Sequence, residues 1–200
     1  MTLLIDPAHH IASAPDGLAE IRKQECNLAI WQRHPILQPF DFVLAEGLEL
    51  RLTTELSVLR LRLECTLPDG LTAGEPQKVA LIDDICSLAQ HFGAILNQSA
   101  LEVRLEVITT DACRKFHADY VTARLISTYV GRGTQWLDRL DAERVAAGDK
   151  PANIQSLVAG DVGIFKGRLA TKRPAIHRSP PITGTGEARL LLVLNPVEED

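Results

Sequence analysis

The run Cys113-Arg114-Lys115-Phe116-His117-Ala118-Asp119-Tyr120 contains the residues best suited to chemistry. His117 and Asp119 are two apart, so on an extended strand both side chains leave the same face. An imidazole nitrogen and a carboxylate oxygen on one face supply two ligands of the kinds that suit iron, manganese or zinc. The third ligand must come from elsewhere. His177, in PAIHRSPP and next to a predicted strand, is the best-placed donor. Two histidines and one carboxylate fill one face of an octahedron and leave the opposite positions exchangeable, the arrangement that serves non-haem Fe(II) oxygenases. Arg189 opens the strand-like run ARLLLVL. Facing a barrel interior, its guanidinium could hold a distal carboxylate through two parallel hydrogen bonds. Lys166 is an alternative for that task, with less directional geometry.

Other residues carry weaker signals. Cys113, four positions before His117, would close a Cys-His-Asp-His tetrahedron with the character of a structural or storage zinc site; otherwise it is a strand-end thiol. Tyr129 either donates a hydrogen bond to a co-substrate or packs with its hydroxyl satisfied at a barrel rim. Trp136 lines a substrate mouth or packs under a surface helix. Asp161, after Gly160, reads as a turn former. His9 and His10 read as solvated, and His34 and His91 have no partners at ligand spacing. The four cysteines, Cys26, Cys65, Cys86 and Cys113, lack CxxC spacing and read as reduced core thiols. No GxxxxGK[ST] loop and no GxSxG elbow is present, and GTGEAR lacks the third glycine of a dinucleotide fingerprint.

The elements that must position these residues follow from periodicity. In LEVRLEVI, Leu101, Val103, Leu105 and Val107 alternate with Glu102, Arg104 and Glu106, the mark of a strand with one buried face. Further strands are predicted at 124–130, 161–166, 174–178 and 188–194, separated by Gly-bearing turns, a pattern that indicates a sandwich or barrel. Residues 78–97 place Leu81, Ile82, Ile85, Leu88, Ala89, Phe92, Ile95 and Leu96 on one helical face, with Asp83, Asp84, Ser87 and Gln90 facing away. That helix should cover the outside of a sheet. Residues 48–67 mix strand and helix signals and lean towards helix. Residues 138–153 read as a short helix and loop across one mouth of the barrel. The predicted fold is α+β, a double-stranded β-helix (a jelly-roll or cupin-like barrel) with flanking helices. Residues 78–200 would form the metal-binding domain and residues 1–77 an N-terminal extension packed on it, the whole forming one unit.

Composition narrows the function classes. Hydrophobic residues at 46% and charged residues at 24% suit a chain that builds a sizeable core. Aromatics at 4% and a net charge of −5 disfavour nucleic-acid binding, which relies on stacking platforms and clustered cations. The N-terminal stretch has no basic region followed by a long apolar one, and no apolar run approaches the roughly 20 residues of a membrane span. The address implied is the cytoplasm, with no membrane partner.

The ordered set His117-Ala118-Asp119, Arg124 and Tyr129, Gly160-Asp161 through Phe165, His177 and Arg189 resembles the 2-oxoglutarate/Fe(II)-dependent dioxygenases of the prolyl-hydroxylase type. The resemblance spans about residues 100–195. It implies a double-stranded β-helix in which His117, Asp119 and His177 bind Fe(II) and Arg189, with Tyr129, binds 2-oxoglutarate for oxidation of a small-molecule or protein substrate. The strings CNLAIWQR, CRKFHADYVTARLISTY, GTQWL, GDVGIFKG and HRSPP also look like a bacterial family of unknown function, whose members are commonly found beside genes expressed under zinc limitation. That likeness implies a second reading, a non-enzymatic zinc-binding protein of metal homeostasis using the same residues. A cupin-like metalloenzyme that does not use 2-oxoglutarate is a third. The loop Gly131–Trp136 and the absence of Arg-x-Ser after Arg189 depart from the hydroxylase pattern.

Overall fold

The computed structural model describes residues 8–36, 38, 42, 47–111 and 113–197; residues 1–7, part of the stretch read above as lacking a leader, lie outside them. The described strands are β1 (His9–Ala12), β2 (Leu28–Trp31), β3 (Glu49–Glu55), β4 (Ala100–Ile108), β5 (Ala123–Val130), β6 (Gln135–Trp136), β7 (Gln155–Ser156), β8 (Val162–Lys166), β9 (His177–Arg178) and β10 (Arg189–Pro196). The helices are α1 (Leu59–Thr66), α2 (Glu75–Leu96) and α3 (Arg139–Ala146).

Seven strands form one sheet in the order β1-β2-β8-β5-β10-β4-β3, and β7-β6-β9 form a small second sheet. Only the β1–β2 pair in the large sheet is parallel; its other pairings are antiparallel. Side-chain alternation splits the large sheet into two faces. Leu50, Leu52, Leu101, Val103, Leu105, Leu125, Ile164, Leu190, Leu192 and Leu194 pack into a core shared with α1 and α2. On the other face, Leu28, Ile30, Ile126, Phe165, Leu191 and Val193 meet Trp136, Leu157 and Ala175, so the small sheet and its flanking loops cover the middle of this face.

Helix α2 begins with Pro76 in its first turn and ends at Asn97, which takes the left-handed conformation (φ 56°) while its N–H donates to Gly93 O. By length and composition this helix is apolar enough to cross a bilayer, a property missed when runs are counted without tolerating Asp83 and Asp84. Here Leu81, Ile82, Ile85, Leu88, Ala89 and Phe92 are buried against the sheet. Asp84 does not face away as predicted. Arg33 pairs with both of its oxygens, and Tyr129 Oη donates to Oδ2 at 2.8 Å. A largely buried cation and a buried phenol make that carboxylate part of the helix–sheet contact.

The first 77 residues do more than pack on a finished core: β1, β2 and β3 are strands of the large sheet itself. Residues 48–67 split into β3 and α1, so both of their mixed signals are real and apply to successive segments. In helix α3, Val145 shares a cleft with Phe116 and with Arg178 of the small sheet.

Candidate metal centre

His117 and His177 face each other across an antiparallel bridge outside the longer strands, with His117 N donating to His177 O at 2.9 Å and His177 N to His117 O at 3.0 Å. This bridge brings together two histidines far apart in the chain and puts their rings 4.7 Å apart between centroids. Asp119, two residues on, joins them. One ligand atom from each of His117, Asp119 and His177 lies within 4.8 Å of the others, a separation one metal ion could span. Phe165, from the face of β8 that looks towards the small sheet, backs the His177 ring at 4.7 Å. Asp119 and His177 side chains are 9% and 5% exposed and His117 is 34% exposed, so the cluster opens to solvent on the His117 side.

The hydrogen bonds fix which ring nitrogens are free. His117 Nδ1 lies 2.9 Å from Lys115 O, and His177 Nδ1 lies 3.3 Å from Ala175 O. A carbonyl only accepts, so in each ring Nδ1 carries the proton and a neutral ring turns an Nε2 lone pair inwards. The two Nε2 atoms lie 3.6 Å from Asp119 Oδ1 and 3.2 Å from Asp119 Oδ2. Oδ2 is buried and has no hydrogen bond. Three acceptors thus converge with no donor between them, an arrangement that a cation relieves. The donor set, two imidazoles oriented by backbone carbonyls and one carboxylate, fits a divalent transition metal. Protons are the competing occupants. The Asp119 carboxylate beside it favours the protonated ring and raises the His117 pKa above its ordinary value, against the pull of burial. Burial works against the Asp119 carboxylate, but His117, His177 and Arg124 outweigh it and hold the carboxyl far below the usual range.

Arg189 points to the same face of the large sheet. A β-bulge between β5 and β10 at Leu190/Leu191 leaves Tyr129 as the extra residue opposite this step, next to the start of β10. The Arg189 side chain is fully buried. Its Nε donates to Arg132 O at 2.6 Å, Nη1 to Ser179 Oγ at 3.1 Å, and Nη2 to Thr128 Oγ1 and Thr134 Oγ1 at 3.4 Å each. No carboxylate pairs with it among the described residues, and burial alone lowers its pKa to about 10. The Gly131–Gly133 turn shapes this pocket: Gly131 sits at φ +86°, and a Cβ on Gly133 would lie 2.0 Å from Leu157 O. Sequence alone assigns no ligand-binding role to Ser179, Thr128 or Thr134. Thr128 could have received one, since it is four residues from Arg124 and so shares its strand face.

Several sequence expectations are corrected here. Tyr129 lies on the opposite face, packed in the α2 core and bonded to Asp84, so it does not meet a ligand beside Arg189. Lys166 also leaves that inner face; its Nζ donates to Lys23 O at 2.7 Å. Cys113 is exposed, has a positive φ of 57°, and is not among the residues whose ligand atoms converge. Trp136 is buried, and His9 packs on it at 4.8 Å, where burial lowers the imidazole pKa rather than leaving it solvated.

No curated protein matches the chain in sequence. Solved structures similar to it include the dioxygenase for auxin oxidation 1 of Arabidopsis thaliana in complex with 2-oxoglutarate, at 10% identity over 96% of this chain and 92% of that one, with a TM-score of 0.49. A prolyl-4-hydroxylase of Pseudomonas putida aligns at 12% identity over 93% and 94%, TM-score 0.44. AviO1 of Streptomyces viridochromogenes aligns at 15% identity over 94% and 96%, TM-score 0.43. A family model matches residues 12–195, and the chain belongs to that family, DUF1826, described as proteins of unknown function.

Proposed function

We propose that this protein is an Fe(II)- and 2-oxoglutarate-dependent oxygenase built on a double-stranded β-helix, the small sheet and the middle of the large one forming its two layers. His117, Asp119 and His177 hold the iron. Arg189, with the hydroxyls of Ser179, Thr128 and Thr134, receives the far carboxylate of 2-oxoglutarate. The observation that carries this reading is a buried guanidinium without a counter-charge on the same sheet face as three converging metal-type acceptors. A buried charge is costly unless paired, so this one is matched to an anion that arrives from outside. A dicarboxylate that also ligates a metal would satisfy both features.

When bound, iron and co-substrate supply dioxygen activation, one oxygen atom passing to the organic substrate and the other to the succinate formed with carbon dioxide from 2-oxoglutarate. The protein's own residues do the rest. The carbonyls of Lys115 and Ala175 orient the rings, Phe165 fixes His177, and the partial exposure of His117 leaves an approach for substrate.

Anaerobic Fe(II) followed by 2-oxoglutarate tests the proposal through the weak visible charge-transfer band of the chelate. A band in the wild type that weakens in Arg189→Ala is the expected result. No band, together with tight stoichiometric zinc binding, would replace this reading with a zinc-binding protein using the same three ligands.

A further inference from the structure

A chain of polar side chains leaves Asp119 on the side away from His177. Arg124, on β5, donates from Nη1 to Asp119 Oδ1 at 2.6 Å and from Nε to Asn195 Oδ1, on β10, at 2.8 Å. Asn195 Nδ2 donates to Glu102 Oε2, on β4, at 2.8 Å, and Glu102 pairs with Arg51 on β3. Each residue comes from the next strand in the sheet order, all on the face that carries the metal centre. Asn195 is buried at 5% exposure, so its amide is committed to these two neighbours.

This chain has a consequence for the carboxylate. Asp119 Oδ1 is occupied by a charge-assisted hydrogen bond, while Oδ2 is buried, faces His177 and has no hydrogen bond. Resting on the metal-site reading above, we propose that Arg124 is a positioning residue that makes Asp119 a one-oxygen ligand through Oδ2. Asn195 and Glu102 hold the guanidinium at the required angle. With Oδ1 withheld, the protein contributes three ligand atoms rather than four, and the remaining positions stay exchangeable. A guanidinium suits the task because its planar fork bonds two acceptors at fixed geometry, which an ammonium does not.

Cobalt(II) added to the metal-free full chain tests this without turnover. The wild type should bind Co(II) with the weak visible bands of a five- or six-coordinate ion. In Arg124→Gln, Kd for Co(II) should rise about 10–100-fold, the usual effect of losing a partner behind a ligand, and the bands should shift as Oδ1 becomes free to coordinate. Arg124→Lys should recover part of the affinity but not the wild-type spectrum. Asn195→Ala, which keeps the Arg124–Asp119 pair, should move both in the same direction by less. Arg124 acting only as a strand-to-strand fastener would lower the melting temperature and leave the Co(II) spectrum and Kd unchanged, which overturns the proposal. Should Arg124→Gln not fold, the Arg124→Lys and Asn195→Ala spectra decide alone, and identity with wild type in both is equally fatal. Failure of the wild type to bind Co(II) would remove the metal centre itself, a different result from an unchanged variant.

Discussion

Arg189 carries a charge into the interior, where its partners among the described residues are three hydroxyls and one carbonyl. Its replacement by Met therefore removes an unpaired buried charge while filling much of the same volume. In the absence of ligand, Arg189→Met should be no more than about 1–2 kcal/mol less stable than the wild type, the lost hydrogen bonds being offset by relief of the charge. The wild type should gain about 2.7 kcal/mol from 2-oxoglutarate at a hundredfold excess over Kd with a metal present, and the variant nothing. Thermal denaturation with and without 2-oxoglutarate reads both; equal stabilisation of the two proteins would remove Arg189 from the site. His117 sets the pH behaviour. Its pKa is raised, so without metal its pairing with Asp119 adds stability that is complete below about pH 6.5 and fades as pH rises through the folded-state value. Metal needs the neutral ring and binds better as pH rises. Chelator should therefore lower the melting temperature more at pH 8 than at pH 6, and the reverse order would contradict this account of the cluster.

At the scale of elements, α2 is fixed to the sheet by the Arg33–Asp84–Tyr129 group as well as by its apolar face. Asp84→Ala leaves a buried guanidinium and a buried phenol without their acceptor and should cost about 3–5 kcal/mol in urea denaturation. Co(II) affinity should stay unchanged, because the group lies on the far face from the metal centre. Replacing all three residues together (Arg33→Met, Asp84→Leu, Tyr129→Phe) should recover much of that loss. No local pattern announces this network: the helical period puts Asp84 among polar residues, and its partner lies in a loop 51 residues away. Strand β4 was legible from its long alternation and β10 from its long apolar run, whereas β2 is a four-residue run with three buried residues and no alternation to betray it. The His117–Asp119 half of the candidate metal centre was legible because spacing of two fixes a shared face. The same rule, applied from Arg124, places Thr128 with it and Tyr129 opposite, so parity favours the packed reading of Tyr129 over the co-substrate one. Ser179 and Thr134 sit in connecting segments, where no period speaks.

Across the whole molecule, the three candidate ligands belong to two different parts of the chain: His117 and Asp119 to the β4–β5 connection, and His177 to the small sheet. A bound ion would add a link between these parts beside the contacts that already join them, the paired backbone bonds of His117 and His177, the Ser179 N–H bond to Cys113 O and the Arg178 guanidinium over the Phe116 ring. Hydrogen exchange should report this directly. Adding Zn(II) should slow exchange at β6 and β9, including the Leu137 amide that bonds Ile176 O, while β3 and β4 change little. Uniform protection across both sheets, or none, would count against a cross-linking metal.

The position of β10 between β5 and β4 also governs how the sheet can come together. Without β10 there are two fragments, β1-β2-β8-β5 and β4-β3, each with a raw hydrogen-bonding edge and an uncovered apolar row. All eight residues of β10 are buried, so no other strand can stand in for it at the seam. Assembly must therefore wait for a pairing between segments distant in the chain, the kind of closure that makes folding slow. Until that seam closes, the exposed edges of β4 and β5 are the places where one molecule would most readily pair with another.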